Sequence, residues 1–463
     1  MRRAQAFLVC WLMLLGAAAP ALGGYRHVMT PRLSLTGDYS SNIYQTEKDQ
    51  ESDFITVVAP SVSYEVSERT HGFLVGYSPG YAAYAKNTEE SGFRHSVNAA
   101  AWHYFSKHLR LVFTDRFTRT EEPYTVQQES LRFRRQPPPM EVDGIIVGPV
   151  DTVEETDTTR RKGRNIYDTN SAFLQLVKDF GQGRSVDVHY VNRILRNDDP
   201  TIEDSDENTA GVGLRYQFTP LVSGRARVDY TLGRFSGEEE IDRGTTGDFD
   251  RWRSVFELRR AFTPRLQGFV EYVQIFLNSQ NPGEDYTVYS PIVGLDYQIS
   301  PGASVTAGAG YYLQDRTDEE DEDGFIFFLE GDVGEQWRDG RLTARLTTQS
   351  GFRETYFGTE NLGFSTYYGT QFTVGYAFTK KINGNTFALY RRDEYLNEDP
   401  VRKDDTYLAG AGVTFRLRKW LSFRIRYYHR TVDSNIAEES SDEDNVGFNV
   451  DFDLSPRLRP ITF

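Results

Sequence analysis

The chain has 463 residues, a formal net charge of −15 from 52 Lys+Arg and 67 Asp+Glu, and a single Cys. The acidic balance argues against nucleic acid as a partner, because nucleic acids are bound through basic patches. One Cys permits neither a disulfide framework nor a Cys-rich metal or haem site, while the 28 Tyr and 31 Phe beside four Met favour β structure.

The N-terminal segment has the pattern of a secretory signal. Arg2 and Arg3 precede an apolar run, and Ala21-Leu22-Gly23 ends that run as a small-residue cleavage site. We predict that residues 1–23 are a signal peptide and that the single Cys is removed with it. No later apolar run approaches the ~18 residues of a transmembrane helix. Residues 24–463 are therefore predicted to form one exported domain.

The mature sequence alternates apolar and polar residues with a period of two. Tyr407, Val413 and Phe415, for example, share one parity, and Thr414 and Arg416 share the other. Side chains of a β-strand point alternately to its two faces, so this pattern predicts strands. About 20 segments show it, and no helix is predicted. The segments are 32–44, 53–66, 72–84, 93–104, 108–119, 165–179, 184–196, 208–218, 221–235, 249–262, 265–278, 286–299, 303–316, 325–337, 341–354, 364–378, 384–396, 406–417, 420–432 and 445–455.

Connections between these segments are alternately short and long. Several short ones are an aromatic residue followed by Thr-Pro, as in Phe218-Thr219-Pro220 and Phe262-Thr263-Pro264. The long ones are polar and mostly acidic, and the longest is 120–164. This asymmetry is typical of bacterial outer-membrane barrels. The other long connections are 197–207, 236–247, 317–324, 397–405 and 433–444.

We therefore predict an all-β fold, a single closed antiparallel transmembrane β-barrel of about 20 strands (18–20), integral to the outer membrane. Short turns would face the periplasm, and long acidic loops would be extracellular. The alternative is a secreted soluble β-sandwich, whose half-buried sheets also alternate, although a soluble chain of this length should divide into domains. The aromatic residues predicted to form girdles are Phe218, Phe262, Trp337, Phe378 and Trp420 toward the turns, and Tyr367, Tyr368, Tyr395 and Tyr407 toward the loops.

Candidate functional residues lie on the polar strand face, which a barrel turns toward its lumen. Arg recurs there beside acids and Tyr312, and two interpretations stay open: ion pairs that brace strands, or a charged wall that passes an anionic or sugar-rich solute. Segment 120–164 could fold into the lumen as a constriction or remain a surface loop. The predicted lumen-lining residues are Arg215, Arg225, Arg227, Asp229, Arg345, Arg416, Arg418, Arg424, Arg426, Tyr428 and Arg430.

The sequence offers no catalytic or metal-binding pattern. The seven His lack the spacing of a zinc site, and the acidic run 318–323 lacks the spacing of a calcium-binding loop, so solvation is predicted for it. We predict a protein that is not an enzyme and has no catalytic residue, cofactor or metal site.

The chain resembles the "putative β-barrel porin 2" type of Gram-negative outer-membrane protein. The signal segment, the Phe-Thr-Pro turns, the acidic loops and the ending Leu454-Ser455-Pro456-Arg457 carry this resemblance. It implies a barrel without a catalytic site that helps to export or assemble a surface exopolysaccharide. The partners expected for it are outer-membrane lipid and lipopolysaccharide, the polysaccharide, and separate periplasmic export proteins.

Three functions follow as hypotheses. The first is passive conduction of a polar or anionic solute in exopolysaccharide export. The second is a general diffusion porin, or the barrel sheath of an electron conduit whose haems would belong to another chain. The third is a structural or adhesive barrel whose loops do the work.

Overall fold

A computed structural model of the chain shows an almost entirely β protein. The predicted signal peptide, Trp337 and most of 120–164 lie outside the residues that the structure describes. Within the described residues, one 3₁₀ turn, Thr88–Glu90, stands between two strands, and no helix is long and apolar enough to cross a membrane. The described residues are 25–122, 140–142, 145–147, 164–200, 202–236, 248–280, 285–317, 320–334, 341–355, 363–396, 400–436 and 439–453.

Twenty strands form one sheet, and two short strands form a separate hairpin within 120–164. The hairpin strands are β6 (Met140–Val142) and β7 (Ile145–Val147). The barrel strands are β1 (Arg26–Ser40), β2 (Asp53–Ser67), β3 (His71–Tyr84), β4 (Gly92–Ser106), β5 (Leu109–Thr120), β8 (Tyr167–Gly181), β9 (Arg184–Asn197), β10 (Asp204–Thr219), β11 (Val222–Ser236), β12 (Phe249–Thr263), β13 (Leu266–Ser279), β14 (Tyr286–Ser300), β15 (Ala303–Arg316), β16 (Glu322–Val333), β17 (Leu342–Thr355), β18 (Gly363–Thr379), β19 (Ile382–Tyr395), β20 (Arg402–Arg418), β21 (Leu421–Ser434) and β22 (Ser441–Asp453).

The sheet is closed. Each barrel strand pairs antiparallel with its neighbours in sequence, and β1 pairs with β22 from Arg32↔Asp453 to Ser40↔Asn445. Each predicted segment overlaps one barrel strand, so the predicted closed antiparallel barrel is confirmed. A single closed sheet also rules out the sandwich, which needs two sheets packed face to face.

The two ends of the barrel differ as predicted. Short turns such as Thr219–Val222 join strands at one end, here called the turn end, and longer connections join them at the other, the loop end. Several acidic connections are shorter than predicted, because their charged residues continue the strands. Glu207, for example, lies in β10 and accepts a hydrogen bond from Arg193 of β9 at 2.9 Å, and such opposite-charge cross-strand pairs stabilise a ladder.

Segment 41–44 was predicted as the end of the first strand, and this is wrong. β1 ends at Ser40, and the chain then turns over the inner face of the wall, where Ile43 is buried against Ile55 and Tyr84. Ile43 continues the apolar alternation of β1, so the sequence pattern did not distinguish a strand residue from a loop residue that packs on the wall.

The outer face of the barrel is apolar and exposed, as a lipid-facing surface should be. Phe218, Phe262 and Phe378 lie on it at the turn end, and Tyr368 and Tyr407 lie on it toward the loop end. Two predicted girdle residues face the lumen instead. Tyr367 adjoins Tyr368 and must take the opposite face of β18, and Tyr395 is buried on the inner face of β19.

Candidate functional site

The inner wall carries a charged cluster built across three strands. His189 of β9 and Asp229 of β11 both pair with Gly211 of β10. The His189 Nε2 atom lies 2.9 Å from Asp229 Oδ1, and Arg227 Nε donates to Asp229 at 2.9–3.0 Å. A Cβ at Gly211 would collide with Asp229 Oδ1 and with the ring of His189. The missing side chain therefore lets the flanking strands bond across β10.

A second group braces the strands that close the barrel. Arg426 of β21 donates to Asp38 of β1 at 2.8 Å, crossing β22. Tyr428 donates to Glu443 of β22 at 3.1 Å. Arg430 is buried and lies 3.5 Å from Gln45 Oε1, in the connection that follows β1. Three of the predicted lumen residues thus join strands or hold a connection.

Four other predicted arginines lie on the inner face of their strands and form no side-chain ion pair within the described part of the chain. Arg215, Arg416, Arg418 and Arg424 are exposed, and their guanidinium groups have no ion-pair partner among the described residues. Arg416 and Arg418 lie at the end of β20, Arg424 is the fourth residue of β21, and Arg215 lies near the end of β10. All four therefore lie near the turn end, and their guanidinium groups are exposed there.

The remaining two predicted residues also lie toward the turn end and are paired. Arg225 Nε is 3.7 Å from Glu257 Oε1, and Arg215 is its direct neighbour on β10. Arg345 Nε donates to Asp332 of β16 at 2.6 Å. The wall therefore has ion pairs that brace strands and, near the turns, arginines without an ion-pair partner among the described residues.

The connection 41–52 folds over the inner wall at the loop end. Asn42 is fully buried, and its Nδ2 donates to the backbone oxygens of Thr46 and Asp442. Tyr44 donates to Glu90 at 3.0 Å. Burial and the neighbouring Glu90 raise the pKa of Tyr44 to about 12, so the phenol stays protonated and keeps donating. This connection therefore covers part of the inner wall at the loop end.

Segment 120–164 is described at its two ends and in the short hairpin strands β6 and β7. Glu121 is buried and accepts hydrogen bonds from Arg94 and Tyr84. Arg164 donates to the backbone oxygen of Ile43 and to the hydroxyl of Tyr84. Both ends are therefore tied to the inner wall beside connection 41–52. Residues 123–139, 143–144 and 148–163 lie outside the described part, so both predicted alternatives, a constriction in the lumen and a surface loop, stay predictions.

An apolar cluster fills one side of the lumen, and the sequence analysis missed it. Tyr312, expected in the charged wall, is 5% exposed, and its ring centroid lies 5.3 Å from that of Phe352. The missed signal is the character of the residues that face the lumen. They are polar in most strands but mostly apolar in β13, as at Val273 and Ile275. The cluster is Phe235, Phe249, Val255, Phe269, Val273, Ile275, Leu277, Tyr286, Val288, Ile292, Tyr312, Ile326, Phe328, Phe352 and Phe364.

The sequence pattern also did not indicate which residues bond to the predicted lumen-lining residues. His189 and Asp38 were not selected, because an isolated histidine or aspartate on a polar strand face carries no motif. The glycine at position 211 was the available signal, since it marks a place where side chains from both neighbouring strands can meet. In the part of the chain that the structure describes, no group of three His, Cys, Asp or Glu could hold a metal ion.

Comparison with known proteins agrees with the fold. Residues 287–454 match the model of the family described as "Putative beta-barrel porin 2". The chain is a porin-like β-barrel. The resemblance predicted from the sequence is thereby confirmed for that part of the chain. No curated protein sequence matches the barrel.

Solved structures similar to the barrel include two receptors. A variant of the ferric enterobactin receptor from Pseudomonas aeruginosa, in complex with enterobactin, aligns with 92% of this chain and 81% of its own, with 9% identity and a TM-score of 0.52. The siderophore receptor PirA from Acinetobacter baumannii aligns with 92% of this chain and 80% of its own, with 9% identity and a TM-score of 0.50. At this identity they show the shared fold alone.

Proposed function

We propose that this porin-like barrel lies in the outer membrane and passively conducts an anionic or sugar-rich polymer during export or assembly of a surface exopolysaccharide. Its apolar outer face and its long acidic connections support this location. In this orientation the turn end faces the periplasm and the loop end faces the cell exterior, as in other outer-membrane barrels. A polymer leaving the cell would then meet the turn end first.

The observation that carries the proposal is the set of unpaired arginines near the turn end. Arg416, Arg418 and Arg424 lie on two adjacent strands, and Arg215 lies on β10, elsewhere in the wall. Asp451 of β22 shares the inner face near Arg424, and no ion pair joins them. Fixed charges that line a pore select permeating ions electrostatically. Carboxylate or sulfate groups of a polymer would be attracted to this end of the lumen.

Ion selectivity tests the electrostatic part of the proposal. We expect the wild-type barrel in a planar bilayer to show an anion-selective reversal potential in a KCl gradient. The triple variant Arg416→Gln/Arg418→Gln/Arg424→Gln should shift it toward cation selectivity. Arg265→Gln is the matched control, because Arg265 is exposed in the turn between β12 and β13. Equal reversal potentials for the triple variant and wild type would contradict the proposal.

Polymer binding tests the substrate class. An anionic polysaccharide added at the turn end should interrupt the current in discrete events, and these events should become rarer in the triple variant. A neutral dextran of similar length is the control. Conductance that neither polymer interrupts would favour a general diffusion porin instead.

A further inference from the structure

The wall has a weak seam between β16 and β17. Six residue pairs join these strands, from Phe328↔Gln349 to Val333↔Ala344, whereas other neighbouring barrel strands share nine to fifteen. Beyond Phe328, on the loop-end side, hydrogen bonds of the Ser350 hydroxyl replace the backbone ladder. This hydroxyl accepts from Phe327 N at 3.0 Å and donates to Phe325 O at 3.1 Å. One side chain therefore bridges the strand edges there.

On the lumen side of this seam, two parts of the barrel wall lie one against the other. Phe364 has the same parity along β18 as Tyr368 and Phe372, which are exposed on the outer face, yet Phe364 is completely buried. Its ring centroid lies 5.5 Å from that of Tyr286 and 6.1 Å from that of Tyr312, both on the inner face of the wall. The loop-end parts of β17 and β18 therefore lie inside β14 and β15.

The overlap is fixed by polar contacts at one edge. Glu354 of β17 accepts hydrogen bonds from Arg251 at 3.0 Å and from the Tyr286 hydroxyl at 2.6 Å. Aromatic rings make further contacts between the two layers, as between Phe352 and Tyr312 and between Phe364 and Tyr286. At the seam, this apolar layer adjoins the outer face, where Phe325 is 65% exposed.

Two polar side chains within this apolar layer have no partner. Gln314 of β15 and Ser290 of β14 are both 0% exposed, and neither the amide of Gln314 nor the hydroxyl of Ser290 forms a hydrogen bond with any described residue. Val288 pairs with Gln314 across the two strands, and the β14–β15 ladder omits Ser290 and Pro291. The two side chains are therefore close neighbours on the inner face. Buried polar groups are normally hydrogen-bonded, so each of these requires an explanation.

We propose that the layer between β14–β15 and β17–β18 binds a single-chain amphiphile of the fatty-acid class, admitted from the membrane through the β16–β17 seam. Its carboxyl or hydroxyl head bonds to Gln314 and Ser290, and its apolar chain enters from the seam by displacing ring contacts between the layers, such as that of Phe364 with Tyr286. The proposal goes beyond axial conduction, since the route runs sideways through the wall. It explains together the short ladder, the apolar filling of a lumen that is otherwise charged, and the two orphan polar groups.

Photolabelling tests the site directly. The purified barrel is placed in vesicles of phosphatidylethanolamine and phosphatidylglycerol and irradiated with a palmitic acid that carries a diazirine on its chain. Mass spectrometry should find label on Phe328, Phe352 or Phe364, between the layers, as well as on the outer face at Phe325. Excess unlabelled palmitate should remove the interior label and leave the outer label. Absence of interior label in the wild type would overturn the proposal.

Gln314→Leu separates ligand binding from folding. Removing the orphan amide should raise the thermal stability of the barrel, because a buried polar group without a partner is costly. The same variant should lose the head-group bond and reduce interior labelling about fivefold. Gln274→Leu, on the outer face of β13, is the matched control and should label as the wild type does. Unchanged interior labelling in Gln314→Leu, or lower thermal stability, would contradict the assignment.

A second labelling experiment, with a phospholipid, distinguishes a free fatty acid from a membrane phospholipid as the ligand. A diacyl phosphatidylcholine with a diazirine on one chain should label the outer face alone, because one head site and one seam suit a single chain. Interior labelling by this phospholipid equal to that by palmitate would overturn the single-chain assignment.

Discussion

Arg426 and Asp38 form an ion pair across the strand that closes the barrel. The Arg426 NH2 atom lies 2.8 Å from Asp38 Oδ1, and Gly447 of β22 lies between them. A Cβ at Gly447 would stand 2.5 Å from both Arg426 Nε and Asp38 Oδ1. The first and last strands are therefore held together both by their backbone ladder and by a side-chain bridge over a glycine.

Filling the space at Gly447 should weaken this closure. We expect Gly447→Leu to lower the free energy of unfolding by about 1–3 kcal/mol, because the leucine displaces Arg426 or Asp38. Guanidinium titration in lipid vesicles, followed by tryptophan fluorescence, measures the change. Gly331→Ala is the control, since a Cβ at Gly331 meets nothing within 4 Å. An equal effect of the two variants would show that the bridge does not matter.

Neutralising the buried cluster at His189 should cost more than neutralising an exposed pair. Asp229 is 4% exposed, so Asp229→Asn should lower the free energy of unfolding by about 3 kcal/mol, because it removes the charged partner of Arg227 Nε in a buried site. Asp332→Asn removes the exposed partner of Arg345 and should cost less than about 1 kcal/mol. Chemical unfolding of both variants tests the ranking, and the reverse order would refute it.

Loosening connection 41–52 should widen the loop end. Asn42→Ala removes hydrogen bonds to Thr46 and Asp442, at roughly 1 kcal/mol each. We expect faster tryptic cleavage at the exposed Lys48 and a larger single-channel conductance. Asn435→Ala is the matched control, because Asn435 also bonds to backbone atoms but lies exposed in another connection. Conductance equal to that of wild type would mean that 41–52 does not limit the pore.

The buried aromatic packing behind the seam should be the most sensitive apolar site. Phe364→Ala leaves a cavity between the two layers and should cost about 3–5 kcal/mol of unfolding free energy. Phe378→Ala, on the outer face, loses transfer free energy without leaving a cavity and should cost about 1–2 kcal/mol. Unfolding titrations in vesicles compare the two. Similar losses would argue against a packed interior at Phe364.

The sequence was informative wherever a residue's position in the strand alternation decides whether its side chain faces the outside or the lumen. Alternation located each barrel strand, and the Thr-Pro turns located the turn end. Parity also placed arginines such as Arg416 on the inner face, because a strand has two faces and lipid excludes charge from one of them. It failed for Ile43, which keeps the parity of β1 although the chain has already left the strand.

Parity says nothing about which distant strands meet inside the barrel. The overlap of β17 and β18 with β14 and β15 joins residues such as Tyr286 and Phe364 that share no local pattern. Pairing among charges is equally hidden. Arg426 reaches Asp38, whereas Arg424, two positions earlier on the same face, reaches no carboxylate of the described residues. The choice between a bracing arginine and an open one depends on side chains from other strands.

Strand alternation and turn chemistry thus sufficed to predict a closed antiparallel barrel of about 20 strands with a charged inner face. They could do so because both are local properties of the chain. The tertiary structure alone decided where that barrel is filled, braced or left open, because side chains far apart in sequence meet only after closure brings their strands to opposite sides of one lumen.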